Sequence, residues 1–224
     1  MIDVLQKTFT PSILLFLLKG IGITVAISVV VVLLSVVFGT LLGLLRSYSP
    51  LVPRKLSGAY IELFRNTPNL LWVTLCAVFM PLPSLFLRAC SSMVLFTSAV
   101  IAEIVRGGLN AIPKGQFEAA KAQGFSFVQS LRYIILPQCF RSIVPTLMSQ
   151  VTTAIKDTSF LAIVAVPELM YKTKQIMSLL PRLTGQTLTL THVLLLMGFA
   201  ALVYFLINFT LSCVVRGLQK RRTA

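Results

Sequence analysis

Long apolar runs alternate with short polar connectors along this chain. Residues Gly20–Leu45 carry no charge, and Ile13–Leu18 extend the run on the far side of Lys19. A secretory hydrophobic region is only about 7–15 residues long, whereas a helical membrane span needs about 20. The run therefore predicts an uncleaved first span over 13–45. Its β-branched stretch, Val29–Val32, favours a strand in water. In lipid only helices and closed barrels satisfy every backbone group, so a helix is expected. Further apolar runs predict spans over 59–79, 89–106, 142–167 and 193–215. Glu62 and Arg65 lie in the second, Pro81 and Pro83 close it, and Lys156 and Asp157 interrupt the fourth. The longest polar part is the connector 107–141. The pattern predicts one all-α integral-membrane domain over 1–224 with five transmembrane helices. No internal repeat and no low-complexity segment interrupts it.

Composition supports lipid as the solvent. Of 224 residues, 56% are hydrophobic and 12% charged, against a usual quarter charged, and the mean hydropathy is +0.90. A water-soluble fold of this size buries about 70% of the surface its unfolded chain exposes, too little to hide such a chain. Cytosolic enzymes, disordered tails and small disulfide scaffolds are excluded on this ground. The formal charge of +14 suggests nucleic acid, but the basic residues fall in short connectors rather than on a polar domain. That distribution fits topology control and anionic headgroups, so no nucleic-acid partner is expected. Cys76, Cys90, Cys139 and Cys213 are far apart, with no CxxC, and read as small hydrophobes.

Five spans put the termini on opposite sides. With the carboxyl terminus inside, the inner face holds Arg46, Arg54, Lys55, the 107–141 connector and the tail Arg216, Lys220, Arg221 and Arg222. The outer face holds Lys7, Arg88, Lys172, Lys174 and Arg182. The inner face is the more basic, so the amino terminus is expected outside and the carboxyl terminus in the cytoplasm.

The 107–141 connector carries a local design. Lys114–Ala122 reads as a short helix, ended by Gly124 in left-handed geometry. Ser126 is placed to cap a second short helix with Phe127, Leu131 and Ile134 on one side. Pro137 is expected to break that helix before the next span. The result is a helix–turn–helix elbow on the cytoplasmic face.

Two echoes, Glu62 with Arg65 and Glu103 with Arg106, set an acid and a base three apart, where they can pair on one helical face. They read either as self-neutralising pairs or as part of a polar path, since ionisable residues in membranes usually face the bundle interior. Lys156 and Asp157 are neighbours that point in different directions, so each needs its own partner, for example Lys156 with Glu103. His192, without a cluster of Cys or carboxylates, reads as interfacial rather than as a metal ligand.

Glu118, Ala119 and Ala120, then Gly124, then Ile134, Leu136 and Pro137 resemble, at every marked position, the cytoplasmic loop signature of a known family. It belongs to the membrane subunits of ABC importers that use a substrate-binding protein. Ala102–Leu109, Ile112–Gln116, Lys156–Ser159, Pro167–Leu169 and Phe64, Arg65, Thr67 and Pro68 look like the polar amino acid permeases of that family. The resemblance covers about residues 15–215. Departures fall at Asn66, Asn69 and Val73, where the family usually has Gly, Leu and Gln, and at Phe160, commonly Leu.

The resemblance implies a type I ABC importer permease fold in a bacterial cytoplasmic membrane. It implies three protein partners: ABC ATPase subunits, a second permease subunit and an extracytoplasmic amino-acid-binding protein. Glu118, Ala119, Ala120 and Gly124 would sit at the ATPase contact. The chain has no GxxxxGK[ST] phosphate loop, so ATP would be bound by the partner, with no cofactor, no metal and no catalysis on this chain. A zwitterionic amino acid needs groups of both signs. Arg65, Thr67, Glu103, Asp157 and Thr158 are the candidates to line its path by alternating access. The outer connector Glu168–Arg182 is a candidate contact for the binding protein. The alternative is an ATP-independent secondary transporter or channel.

Overall fold

A computed structural model describes residues 6, 8–185 and 187–223. Lys7, counted above among the outer charges, lies outside the described residues. In chain order the elements are α1 (Pro11–Tyr48), α2 (Leu51–Arg65), α3 (Asn69–Phe79), α4 (Leu85–Asn110), α5 (Gly115–Ala122) and α6 (Phe127–Ser130). A π-helical turn (Leu131–Ile135), α7 (Leu136–Asp157), a 3₁₀ segment (Thr158–Val164), α8 (Leu169–Thr184) and α9 (Leu190–Thr223) follow. Among the described residues there is no strand.

The first helix forms as expected, Val29–Val32 included. At about 1.5 Å per residue its 38 residues exceed the roughly 30 Å hydrocarbon core. α1, α4 and the stretch Leu190–Gly217 of α9 are each long and apolar enough to cross a membrane. The second and fourth expected spans are composite. Thr67 precedes Pro68, which disfavours helical geometry at Thr67, and the helix stops at Arg65 and restarts at Asn69. The fourth is the polar-faced α7 followed by the 3₁₀ segment.

The chain divides into two compact units. One comprises Val31–Trp72 and Met93–Val151. Its core is Ile101, Val105 and Leu109 of α4 against Ile135 of the π turn and Cys139 and Ile143 of α7. Here α1 meets α4 through small residues. A Cβ on Gly39 would lie 2.8 Å from Ser98 O, and one on Gly43 2.8 Å from Ala102 O. One turn earlier, buried Ser35 donates to Val94 O at 3.5 Å. Close backbone approach over small residues is how helices associate in lipid, where apolar surface alone gives no preference for a neighbour.

The other unit comprises Met1–Val30, Val73–Ser92 and Thr152–Ala224. Ile13 and Leu17 of α1 pack with Ile176 and Leu180 of α8 and Leu196 of α9. Arg88, expected as an outer-face charge, donates to Ala77 O at 3.0 Å and Leu82 O at 2.9 Å. It thereby satisfies a carbonyl that the end of α3 would leave without a partner.

Candidate functional site

The elbow is built as its residues require. α5 ends in a Schellman motif: Phe125 N donates to Ala120 O at 3.1 Å and Gly124 N to Lys121 O at 3.0 Å. Gly124 adopts φ +83, open to glycine and costly for most other residues. Ser126 then closes a capping box with Gln129. Its hydroxyl accepts from Gln129 N at 3.3 Å, while Gln129 Oε1 accepts from Ser126 N at 2.8 Å. Two short helices thus meet at a turn closed on both sides by local hydrogen bonds.

The exit from the elbow differs from expectation. Pro137 does not break the chain into separate helices; α6, the π turn and α7 run on without interruption. A proline ring clashes with the carbonyl four residues back and supplies no N–H. The widened turn meets that problem, with Leu136 N bonding to Leu131 O.

Glu118, Ala119 and Gly124 are exposed on the elbow. Ala120 is not: it is 2% exposed and faces its own unit, so its small side chain sets how closely α5 packs inward. Phe127, Val128 and Tyr133 lie exposed beside the elbow. The spacing puts Phe127 on one side of the second short helix with Leu131 and Ile134. The ring does pack, against Tyr48 and Phe117, yet remains 53% exposed.

Of the two acid–base echoes, one forms as expected. Arg106 Nε donates to both oxygens of Glu103 at 3.0 Å. The other does not: Glu62 pairs with Arg46 of α1 at 3.1 Å, and Arg65 reaches Glu103 at 3.8 Å. The reason is geometric. Glu62 lies opposite the end of α1, and Arg65, the last residue of α2, turns toward the carboxylate on α4. Glu103 therefore serves two guanidiniums.

The remaining path candidates have defined neighbours. Thr67 Oγ1 donates to Leu63 O at 2.6 Å and accepts from Trp72 Nε1 at 2.7 Å, so its hydroxyl secures the break between α2 and α3. Thr158 Oγ1 donates to Ile155 O at 2.8 Å and lies 3.4 Å from Tyr204 Oη. Asp157 ends α7 beside it. Arg65 and Glu103 are thus brought together in one unit, and Asp157 and Thr158 adjoin in the other.

A polar cluster that sequence reasoning missed centres on Glu168, which is 0% exposed. Its carboxylate accepts from Met170 N at 2.9 Å, Tyr171 N at 2.6 Å and Tyr204 Oη at 2.8 Å. Thr24 donates to it at 3.5 Å and accepts from Leu169 N at 3.1 Å. Glu168 is therefore the N-cap of α8, where a carboxylate suits the free N–H groups and the dipole. The signal was a Glu just before the helix, read only within the Pro167–Leu169 resemblance and as the start of the connector. Lys172 is likewise buried, its Nζ donating to Phe16 O at 3.3 Å and lying 4.2 Å from the Phe16 ring centroid. The exposed cations of the 168–182 connector are Lys174 and Arg182. His192 is buried, its Nδ1 2.7 Å from Thr189 Oγ1 at the start of α9.

The described residues thus form an all-helical chain with three helices long and apolar enough to cross a membrane, and an exposed, capped elbow that leads into the polar-faced α7. That is the make-up of a helical membrane protein with a structured connector. The family model for the inner membrane component of binding-protein-dependent transport systems matches residues 35–224, and the chain belongs to this family. It is 34% identical over 216 residues to the probable glutamine ABC transporter permease protein GlnP of Bacillus subtilis, covering 94% of this chain and 95% of that one. It is 34% identical over 232 residues to the glutamate/aspartate import permease protein GltK of Escherichia coli O157:H7, covering 97% of each. Among solved structures, an amino acid ABC transporter crystallised with histidines matches with TM-score 0.76 and 25% identity over 92% of this chain and 94% of that one. An inward-facing MetNI methionine ABC transporter matches in fold, with TM-score 0.71 and 19% identity over 93% and 99%. The expected type I importer permease fold is borne out, and the chain is a multi-pass membrane permease.

Proposed function

We propose that this chain is one permease half of an ATP-driven, binding-protein-dependent amino acid importer in a bacterial cytoplasmic membrane. The observation that carries the reading is the exposed, doubly capped elbow 115–130 within a chain of this family. Relatives named for glutamine and for glutamate and aspartate support a polar amino acid as cargo. The family also favours the ATP-driven reading over an ATP-independent transporter or channel.

Glu118, Ala119 and Gly124 would meet a separate ATPase, which binds the ATP; Ala120 would act by packing. A second permease, identical or homologous, would complete the path, since one small bundle encloses little and such assemblies close by symmetry. An extracytoplasmic binding protein would deliver the cargo. Nucleotide binding would draw the ATPases together, carry the elbows with them and switch the helices from inward-open to outward-open. The amino terminus would lie outside and the carboxyl terminus in the cytoplasm, as the distribution of basic residues favours.

Along the path, Arg65 is the candidate to meet the substrate carboxylate. Its side chain is 42% exposed and held to Glu103 at 3.8 Å, at the long end of an ion pair. Glu103 would orient it and Thr67 would shape the helix break that follows it; in the other unit Thr158 is a further candidate, and Asp157 would supply negative charge for an ammonium.

The experiment is reconstitution of the copurified complex in liposomes. Uptake of labelled glutamine, glutamate or aspartate is expected only with ATP and the binding protein present. Uptake by the purified chain alone, without nucleotide, would overturn the reading.

A further inference from the structure

We infer that Tyr48 is the positioning residue through which movement of the elbow reaches α1; the inference rests on the ATPase-driven reading above. The elbow is joined through the chain to α4 on one side and to α7 on the other, and α1 has no such link to it. Tyr48, the last residue of α1, makes the connection through space. Its ring meets Phe117 of α5 at 5.8 Å between centroids and Phe127 of α6 at 5.4 Å, edge-on in both cases. Phe117 and Phe127 stack on one another at 6.1 Å and 10°. One side chain thus touches both arms of the elbow, on either side of the Gly124 turn.

Edge-to-face and stacked aromatic contacts are directional, so this hub holds an orientation as well as a distance. A displacement of the elbow that keeps the three rings in register must carry Tyr48 with it. The rest of α1 is placed to pass the motion on. Gly43 and Gly39 bring α1 against the α4 backbone. Arg46, one half-turn before Tyr48, holds Glu62 of α2 at 3.1 Å and donates to Arg54 O at 3.4 Å. Elbow, end of α1 and α2 are therefore linked through Tyr48 and Arg46, all within one unit. Contiguity alone does not establish coupling, so the test measures coupling itself.

The purified complex in liposomes is assayed for uptake per ATP hydrolysed, with the binding protein and glutamine, glutamate or aspartate, whichever the wild type transports. The variants are Tyr48→Phe and Tyr48→Ala. The expected result is that Tyr48→Ala still holds the ATPase through purification but loses uptake per ATP by roughly fivefold or more, the lower end of measured coupling between sites. Tyr48→Phe, which keeps the ring, stays near wild type. Equal uptake per ATP in all three proteins overturns the inference. If Tyr48→Ala does not assemble, Tyr48→Leu and Phe127→Leu keep bulk without edge geometry and are read the same way. The failure of the broader reading looks different, because there the wild-type complex itself shows no ATP-dependent uptake.

Discussion

Tyr204 donates from α9 to Glu168 Oε2 at 2.8 Å, which makes a buried carboxylate the point where α1, α8 and α9 meet. The bond matters because Glu168 has no exposure to solvent. A buried charge is tolerable only when its hydrogen-bonding capacity is filled, and here two backbone amides, a phenol and a threonine fill it.

Removing one donor and removing the acceptor should therefore differ. Tyr204→Phe deletes a single bond to a charged group, a loss of about 2 kcal/mol. Glu168→Ala strips the acceptor from several buried donors at once and should cost more, roughly 3–5 kcal/mol by analogy with a broken buried pair. Thermal denaturation in detergent should rank wild type above Tyr204→Phe and Tyr204→Phe above Glu168→Ala. Equal midpoints for the two variants would mean that the carboxylate is not the organising group.

Much of this fold was legible in the sequence, and what was missed has a physical reason. Apolar run length located the long helices, and Gly124 with Ser126 located the elbow, because turn and cap chemistry is local. Which face of α1 points inward was not read. In lipid both faces are apolar, and the interior stripe is marked instead by small and hydroxyl residues, Gly20, Thr24, Ser28, Ser35, Gly39 and Gly43, all buried. Partner choice was also out of reach. Local spacing favours Glu62 with Arg65, but Arg46 comes from another helix, and nothing in the spacing foretells that crossing. Pro137 was read by the rule for α-helices, whereas the π turn before it absorbs the ring.

The inward stripe of α1 is itself testable. Gly43→Ala places a methyl 2.8 Å from Ala102 O, a backbone atom that cannot rotate away, while a methyl on Gly22 meets nothing within 4 Å. Overpacking of this kind costs roughly 1–3 kcal/mol. Gly43→Ala should lower the melting temperature and membrane yield, and Gly22→Ala should leave both near wild type. A tolerated Gly43→Ala would argue against the close approach of α1 to α4.

At the elbow the penalty has another origin. Gly124 has open space around it and φ +83, so Gly124→Ala introduces backbone strain without a clash. That strain is about 1–2 kcal/mol, and Asn, which visits left-handed geometry more readily, should recover part of it. The measurement is retention of the ATPase during purification together with the melting temperature. The order expected is glycine, then asparagine, then alanine. Alanine matching glycine would show that the turn does not need its left-handed residue.

Arg65 and Glu103 give the sharpest prediction about the path. Arg65 presents a planar fork suited to a carboxylate, which Lys, a compact point charge, does not reproduce. If Arg65 meets the cargo, Arg65→Lys should raise the half-saturating concentration of binding-protein-loaded cargo while keeping ATP-driven uptake measurable, and Arg65→Gln should raise it further. Glu103 acts one step back. Glu103→Gln removes the counter-charge shared by Arg65 and Arg106, leaving two cations together, and should reduce stability as well as uptake. The separation of the two readouts is the test. Arg65 variants that lose stability in proportion to uptake would make Arg65 a partner of Glu103 in holding α2 to α4, and would remove it from the substrate path.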